Sequence, residues 1–397
     1  MKKLTLAIIA AFINLFGAYA QDESEYKDRK LSLQEVNFVS SYYHQEGNNA
    51  AVTGGIGTEK LTDFANQLDI KLLRNGKKDR SHVITASVGI DNYTSASSDK
   101  IDPSTISSAS AGDTRVYPKL GWTVHNEKTG WTTGAIAAFS MEFDYQSSGL
   151  GLSASKLSAD KNKELSLNLM GYFDRWKEIL PIELRPPSLR ARETDDAFNW
   201  APRNSLSASL VYSQVMNRKL HVALLADAVY QSGLLGTRFH RVYFSDGTLQ
   251  AENLPGSRFK VPVGIRVNYF MGNRVILRSF FRYYTDNWGL NSYTADIELP
   301  VKINPYLSVS PHYRYYDQSA VKYFAPYGLH SSSDVFYTSD YDLSKLNSQF
   351  IGGSIRWAPE NGVFGIKNFA VLELRYGHYI RSTGLRSDII TAAMKFK

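Results

Sequence analysis

Basic side chains recur on one face of the alternating stretches in the C-terminal half of this chain. Arg274, Arg278 and Arg282 stand on one side of an alternating stretch whose other side is Val275, Leu277, Phe281 and Tyr283. Lys260 and Arg266 stand in the same way opposite Phe259, Val261, Val263, Ile265, Val267 and Tyr269, and Arg314, Arg356 and Arg375 repeat the arrangement further on. A two-residue period sends alternate side chains to opposite faces of a strand. The same register brings Asp227, Asp296, Glu298 and Glu373 to the basic face, so eight cations share it with four carboxylates. The chemistry open to such a surface is electrostatic, because fixed charges lining an aqueous passage decide which solutes enter it. The competing reading is that these groups pair across strands and fill a narrow or closed lumen.

A second set of candidates lies in long polar segments. Arg190, Arg192, Asp195 and Asp196, with Glu183, Arg185 and Glu193, form a dense mixed-charge stretch around Pro186-Pro187, and the next such segment carries His240, Arg241, Asp246 and Glu252. Either would fold over a pore or recognise a ligand; the bland reading is a solvated loop pairing with its neighbours or with lipopolysaccharide. Asp334, Asp340 and Asp342 raise a calcium reading. They lack the loop glycine and terminal bidentate glutamate of an EF-hand, and no His-x-x-x-His or His-Glu-x-x-His spacing points to zinc, so no metal site is assigned. Catalysis has one sequence candidate, His378 with Ser382. Four residues at about 3.3 Å each hold their backbones roughly 13 Å apart on one strand, whereas direct proton transfer needs about 3 Å. No catalytic residue is therefore assigned. With no cysteine, thiolate nucleophiles, disulfides, thiolate-bound metals and covalent haem are all excluded, and no cofactor is expected.

The elements that must position these groups are strands about ten residues long, roughly twice the length usual in soluble proteins. That length lets a tilted strand cross a bilayer. An arginine facing lipid near the midplane costs about 2 to 4 kcal/mol, so the basic face must turn inward and the apolar face outward. The same rule turns Leu165, Leu167, Leu169 and Phe173 out with Ser166, Asn168 and Asp174 in. It also turns Leu307, Val309, Tyr313 and Tyr315 out, with Ser308, Ser310, His312 and Arg314 in. Counting from Leu31–Tyr42 to Asp388–Phe396, the predicted architecture is an all-β, antiparallel, up-and-down transmembrane barrel of about 16 strands. Leu61, Phe64 and Leu68 have helical spacing, which leaves a short helix after Thr58 as an alternative to a strand at Leu68–Arg74. Short turns such as 126–130, 217–219 and 271–273 read as periplasmic, and the long segments 95–113, 177–204, 233–258 and 318–345 as outer loops.

Met1, Lys2 and Lys3, the apolar run Leu4–Phe16 and Ala18-Tyr19-Ala20 have the form of a secretory leader cleaved before Gln21. The expected organisation is a leader at 1–20 and one barrel domain at 21–397. Mean hydropathy is −0.29 and no later run reaches the length of a spanning helix, which fits a barrel because only alternate residues meet lipid. The net charge of +7 falls by the two units of Lys2 and Lys3 on cleavage, an excess too diffuse to indicate nucleic acid. The 25 tyrosines, 20 phenylalanines and 6 tryptophans suit anchoring at two membrane interfaces.

Four stretches carry a resemblance: Asp113-Thr114-Arg115-Val116-Tyr117-Pro118, Phe239-His240-Arg241-Val242-Tyr243-Phe244, the run Tyr337 to Ser344, and Arg375-Tyr376-Gly377-His378-Tyr379. They resemble an uncharacterised family of Gram-negative outer-membrane barrels, domain of unknown function 3570. The resemblance implies location and fold and brings no substrate, cofactor or catalytic residue. The expected function is a channel or porin-like protein passing or gating small solutes, anions slightly favoured, in contact with outer-membrane lipids and lipopolysaccharide. A closed barrel serving as a surface receptor or scaffold for a periplasmic or lipoprotein partner is the alternative, and a barrel enzyme the third.

Overall fold

The structure, a computed structural model, describes residues 30–76, 79–94, 112–186 and 199–397. The leader, the serine-rich segment 95–110, and Arg190, Arg192, Glu193, Asp195 and Asp196 lie outside the described residues. Nine strands come first: β1 (Ser32–Glu46), β2 (Leu61–Asn75), β3 (Arg80–Tyr93), β4 (Asp113–Asn126), β5 (Trp131–Met141), β6 (Tyr145–Leu157), β7 (Lys163–Lys177), β8 (Trp200–Asn217) and β9 (Leu220–Gly233). A small external hairpin follows, β10 (Arg241–Tyr243) with β11 (Leu249–Ala251). The wall resumes with β12 (Ser257–Met271), β13 (Val275–Asp286), β14 (Asn291–Glu298), β15 (Val301–Lys302), β16 (Leu307–Gln318), β17 (Leu346–Trp357), β18 (Phe369–Arg381) and β19 (Arg386–Phe396).

Each strand of the wall pairs antiparallel with its neighbours, β9 with β12, and β19 returns to β1 through eleven residue pairs from Val36 opposite Phe396 to Glu46 opposite Arg386. The sheet is closed, so no edge is left with unpaired backbone groups in hydrocarbon. β14 and β15 both lie between β13 and β16. They are one crossing interrupted at Leu299-Pro300, where proline supplies no ladder N–H, which leaves 16 crossings in the wall. The helical alternative after Thr58 is overturned: Leu61–Asn75 pairs along its length with β1 and β3, because Phe64, Leu68, Ile70 and Leu72 also fit a two-residue period.

The short connections predicted as periplasmic share one end of the barrel, where Gly130 (φ 66°) and Gly272 (φ 67°) take the left-handed conformation such turns require. The long loops share the other end. Length does not divide the two sides cleanly, since 142–144, 287–290 and 382–385 are short and outer while 358–368 is longer and lies at the turn end. Apolar side chains face out along the wall, with Leu150 and Leu152 more than 60% exposed. Trp122, Trp131 and Tyr306 mark the turn end of that band and Tyr42, Tyr230 and Tyr293 the loop end, the two aromatic girdles of a membrane barrel.

The buried apolar clusters lie in the outer loops. Leu254, Trp288, Leu290 and Val321 form one cluster, and Val52 and Ile179, with Phe143 and Phe239, form another. Val242 and Phe244 of the external hairpin are also buried. A barrel wall this wide meets lipid on one side and a lumen on the other, so these clusters form where loops meet above it.

Candidate functional site: the lumen and its outer cap

Ladder register fixes which side chains enter the lumen. Residues directly opposite one another share a face, so the pairs Gly264–Arg282, Asn268–Arg278, Arg278–Glu298, Asp296–Arg314, Ser308–Arg356, Ser354–Arg375 and Arg356–Glu373 define one continuous inner surface. Lys260 and Arg266 join it beside Val229 and Ala223, and Asp227 lies on it opposite Ser209. Arg274 does not belong to the wall: it sits in the turn between β12 and β13, one residue short of the ladder, and its carbonyl accepts from the Lys302 amide.

Several of these cations are paired. Arg278 reaches Glu298 at 3.0 Å, Arg314 and His312 both reach Asp296 at 2.8 Å, and Arg375 reaches Glu373 at 2.6 Å. Arg266 lies over the Phe280 ring at 5.8 Å. Arg266, Arg282 and Arg356 meet no carboxylate within 4.0 Å among the described residues. The side chains of Arg278, Arg314 and Arg375 are 50%, 51% and 58% exposed although they point into the barrel. Water therefore reaches them inside, and the middle of the lumen is wet.

Following the register around the whole ring adds a feature that the C-terminal strands alone do not reveal. On β1–β9 the inward charges are Glu35, Asp63, Asp69, Asp91, Asp113, Glu164, Asp174 and Asp227 against Lys71, Arg115, Lys119 and Arg203. On β12–β19 they are Arg258, Lys260, Arg266, Arg278, Arg282, Lys302, Arg314, Arg356, Arg375, Arg381 and Lys395 against Asp286, Asp296, Glu298 and Glu373. One arc of the wall is net acidic and the facing arc net basic. Charges of opposite sign across a water-filled gap set up a transverse field, which orients dipolar solutes. A cavity of about 420 Å³ opens in the acidic arc, bordered by Asp91, Arg115, Tyr117, Ser140, Tyr172 and Asp174.

Glycines keep aromatic rings flat against this wall. A Cβ at Gly377 would lie 2.1 Å from Cζ of Phe350, and one at Gly89 2.0 Å from Cζ of Tyr117. Each ring thus lies over bare backbone on the neighbouring strand instead of projecting into the passage.

Towards the loop end the lumen becomes packed. Asp286 is enclosed: it accepts from Arg258 Nε at 2.9 Å, from Tyr284 at 2.7 Å, and from the amides of Trp288 and Leu290 at 2.9 and 3.1 Å. Above it, loops from widely separated strands meet. Arg241, buried in the β9–β12 loop, reaches Glu183 of the β7–β8 loop at 2.5 and 3.0 Å and the Val52 carbonyl of the β1–β2 loop at 2.8 Å. Arg381, at the top of β18, holds Asp342 of the β16–β17 loop. These contacts make a cap across the outer mouth.

The sequence candidates His240 and Asp340 come together within the cap, beside Glu252, while Arg241 and Asp342 serve the separate ties just described. Burial and the neighbouring Asp342 push the Asp340 carboxyl well above the usual aspartate range. Burial also pushes Glu59 up to about 7. Burial opposes a charge on His240, and the Glu252 carboxylate outweighs it, so the imidazole is raised. Glu183 goes the other way, since hydrogen bonding to Arg241 overcomes its burial and lowers it.

His378 does not share a site with Ser382. His378 faces outward and pairs with Asp388 at 2.8 Å, with the Tyr376 hydroxyl on the same carboxylate at 2.7 Å, whereas Ser382 lies beyond the strand end and accepts from the Asn347 amide. Among the described residues no hydroxyl bonds the remaining nitrogen of His378. Asp334 is also apart from Asp340 and Asp342, beside His330 at 3.5 Å.

Residues 5–363 match the family described as protein of unknown function DUF3570. No curated protein matches the chain. Among solved structures, it is similar to a mutant of the ferric enterobactin receptor PfeA from Pseudomonas aeruginosa, at 10% identity and TM-score 0.48, over 88% of this chain and 54% of that one. It therefore spans about half the length of that receptor. It is also similar to the outer membrane protein opdK of Pseudomonas aeruginosa, at 8% identity and TM-score 0.43 over 92% of this chain and 99% of that one. A BenF-like porin from Pseudomonas fluorescens Pf-5 aligns at 8% identity and TM-score 0.43, over 94% and 100%.

Proposed function

We propose that this chain, which belongs to the DUF3570 family, is a gated outer-membrane channel for small polar solutes, exported by the leader at 1–20. The observation that carries the reading is the half-exposed state of Arg278, Arg314 and Arg375 inside a closed sheet, because a plugged interior would have excluded water from them. Over the whole wall basic groups slightly exceed acidic ones, which gives a weak preference for anions. The facing acidic and basic arcs favour dipolar solutes, with zwitterions carrying both charges a few ångströms apart the best matched. The cap over the mouth supplies the gate, since loops open at smaller free-energy cost than a closed sheet. Lipid and lipopolysaccharide contact the apolar band and girdles outside.

Planar-bilayer recording tests this. Folded protein opens ion-conducting channels, and replacing both Arg278 and Arg282 by Gln moves the reversal potential in a salt gradient towards cations. Protein that never conducts, even with the cap loops shortened, sinks the transport reading.

The cap favours one rival, a surface receptor or scaffold that docks a protein partner on the packed loops. It predicts no conductance, and loss of partner binding when 190–196 is deleted. Catalysis is not part of the proposal: the outward His378–Asp388 pair has a base and its orienting carboxylate but, among the described residues, no nucleophile in place.

A further inference from the structure

The cap loops 234–256 and 319–345 bring His240, Glu252 and Asp340 together, one donor atom from each lying within 4.8 Å of the other two. Nδ1 of His240 is sealed from solvent and makes no hydrogen bond; Oε1 of Glu252 is 3.6 Å away. That is too long for a hydrogen bond. It is close to the roughly 3.4 Å edge between two ligands of one tetrahedral ion bound at about 2.0 to 2.1 Å. We propose that His240, Glu252 and Asp340 bind one divalent transition-metal cation of the zinc class, which fastens the two loops to each other across the mouth.

The surroundings are arranged as ligand supports. The Glu252 amide donates to the His240 carbonyl at 2.9 Å, which ties the two ligands through their backbones. The Glu252 carboxylate accepts from the Thr237 amide and from the Thr338 hydroxyl, each at 2.5 Å, so its orientation is set from outside the site. Asp340 accepts the Asp342 amide at 2.9 Å on Oδ1, and no hydrogen bond among the described residues uses its other oxygen. Each oxygen keeps a lone pair for an ion. With neutral imidazole the three groups carry two negative charges in an enclosed place, which a divalent cation cancels and a proton on His240 only halves.

The donor set selects the ion. One nitrogen and two carboxylates suit zinc or a similar cation and leave a fourth position for water. Calcium needs six to eight oxygens, which this pocket does not supply. A second trio at the same outer end, Asp113, Glu142 and Asp144, carries no such inference, because its carboxylates are taken by the Thr114 and Phe143 amides, Tyr93, Arg115 and Trp176.

The metal site goes beyond conduction and stands or falls independently of it. The test uses the full folded chain in detergent, stripped with a chelator and titrated with zinc chloride by calorimetry, with bound metal counted by elemental analysis. One zinc per chain is expected, with affinity at least tenfold lower in each of His240→Ala, Glu252→Gln and Asp340→Asn. His378→Ala, on the outer wall, keeps wild-type affinity. Gel-shift heat modifiability reports whether each variant is folded; should one fail, wild-type protein still decides, because chelation should speed proteolysis within 234–256 and 319–345 and zinc should reverse it. No stoichiometric zinc, or zinc binding indifferent to all three substitutions in folded protein, overturns the proposal and leaves an imidazolium ion pair in its place.

Discussion

Leu169 and Asn168 are consecutive residues of β7 on opposite sides of the wall. Leu169 is exposed on the outer face beside Leu152 and Ala208, while Asn168 faces the lumen beside Ser153 and Ser209. Both stand near the middle of a fifteen-residue crossing, close to the bilayer midplane. An arginine facing lipid there costs about 2 to 4 kcal/mol, which lowers the folding equilibrium constant roughly 30- to 900-fold. The same arginine at 168 enters water and meets the acidic arc, so its cost is about 0 to 1 kcal/mol. Equilibrium urea titration in lipid vesicles, followed by tryptophan emission, measures both. Leu169→Arg should unfold at markedly lower denaturant with an unchanged slope, and Asn168→Arg should stay near wild type. Equal destabilisation, or the reverse order, would refute the assignment of faces on which the lumen rests.

Arg241→Ala removes the side chain joining Glu183, Val52 and the β9–β12 loop, at a cost of about 1.5 to 3 kcal/mol for charge-assisted hydrogen bonds; bilayer recording should then show more time open. Acid should act similarly through Glu183. Its carboxyl is lowered in the folded cap, so the stability it contributes is present above the unfolded glutamate value and is lost as pH falls through the lowered one. Open probability that does not rise on acidification below about pH 4.5, or that rises equally in Glu183→Gln, contradicts this. Gly377→Val forces the Phe350 ring off the wall and into the passage, so single-channel conductance should fall; an unchanged value would mean that the ring does not border the route.

The barrel is legible in the sequence because burial in lipid imposes a strict two-residue period, and a single slip would turn every arginine outward. Phe259–Phe270 and its partner strand state that rule openly. The rule is ambiguous at Leu61–Asn75, where Leu61, Phe64 and Leu68 also satisfy helical spacing and only pairing with β1 and β3 decides. The basic arc is readable for the same reason. Its acidic counterpart is fainter, since Asp63, Asp69 and Asp91 are spread over strands whose alternation is weaker. Carrying the register through β2 and β3 would have found them. The cap was not readable: His240 and Asp340 are 100 positions apart, and no local period links loops that meet only after the sheet has closed. Arg274 was misplaced by one residue because alternation says nothing about where a turn begins.

The most direct measurement exploits the absence of cysteine. Single substitutions Arg375→Cys and Leu374→Cys, placed in vesicles and treated with a charged, membrane-impermeant thiol reagent, report whether adjacent positions of β18 meet water or lipid. The account predicts rapid modification at 375 and protection at 374. Protection at 375, or equal reaction at both, would contradict a water-filled, arginine-lined lumen.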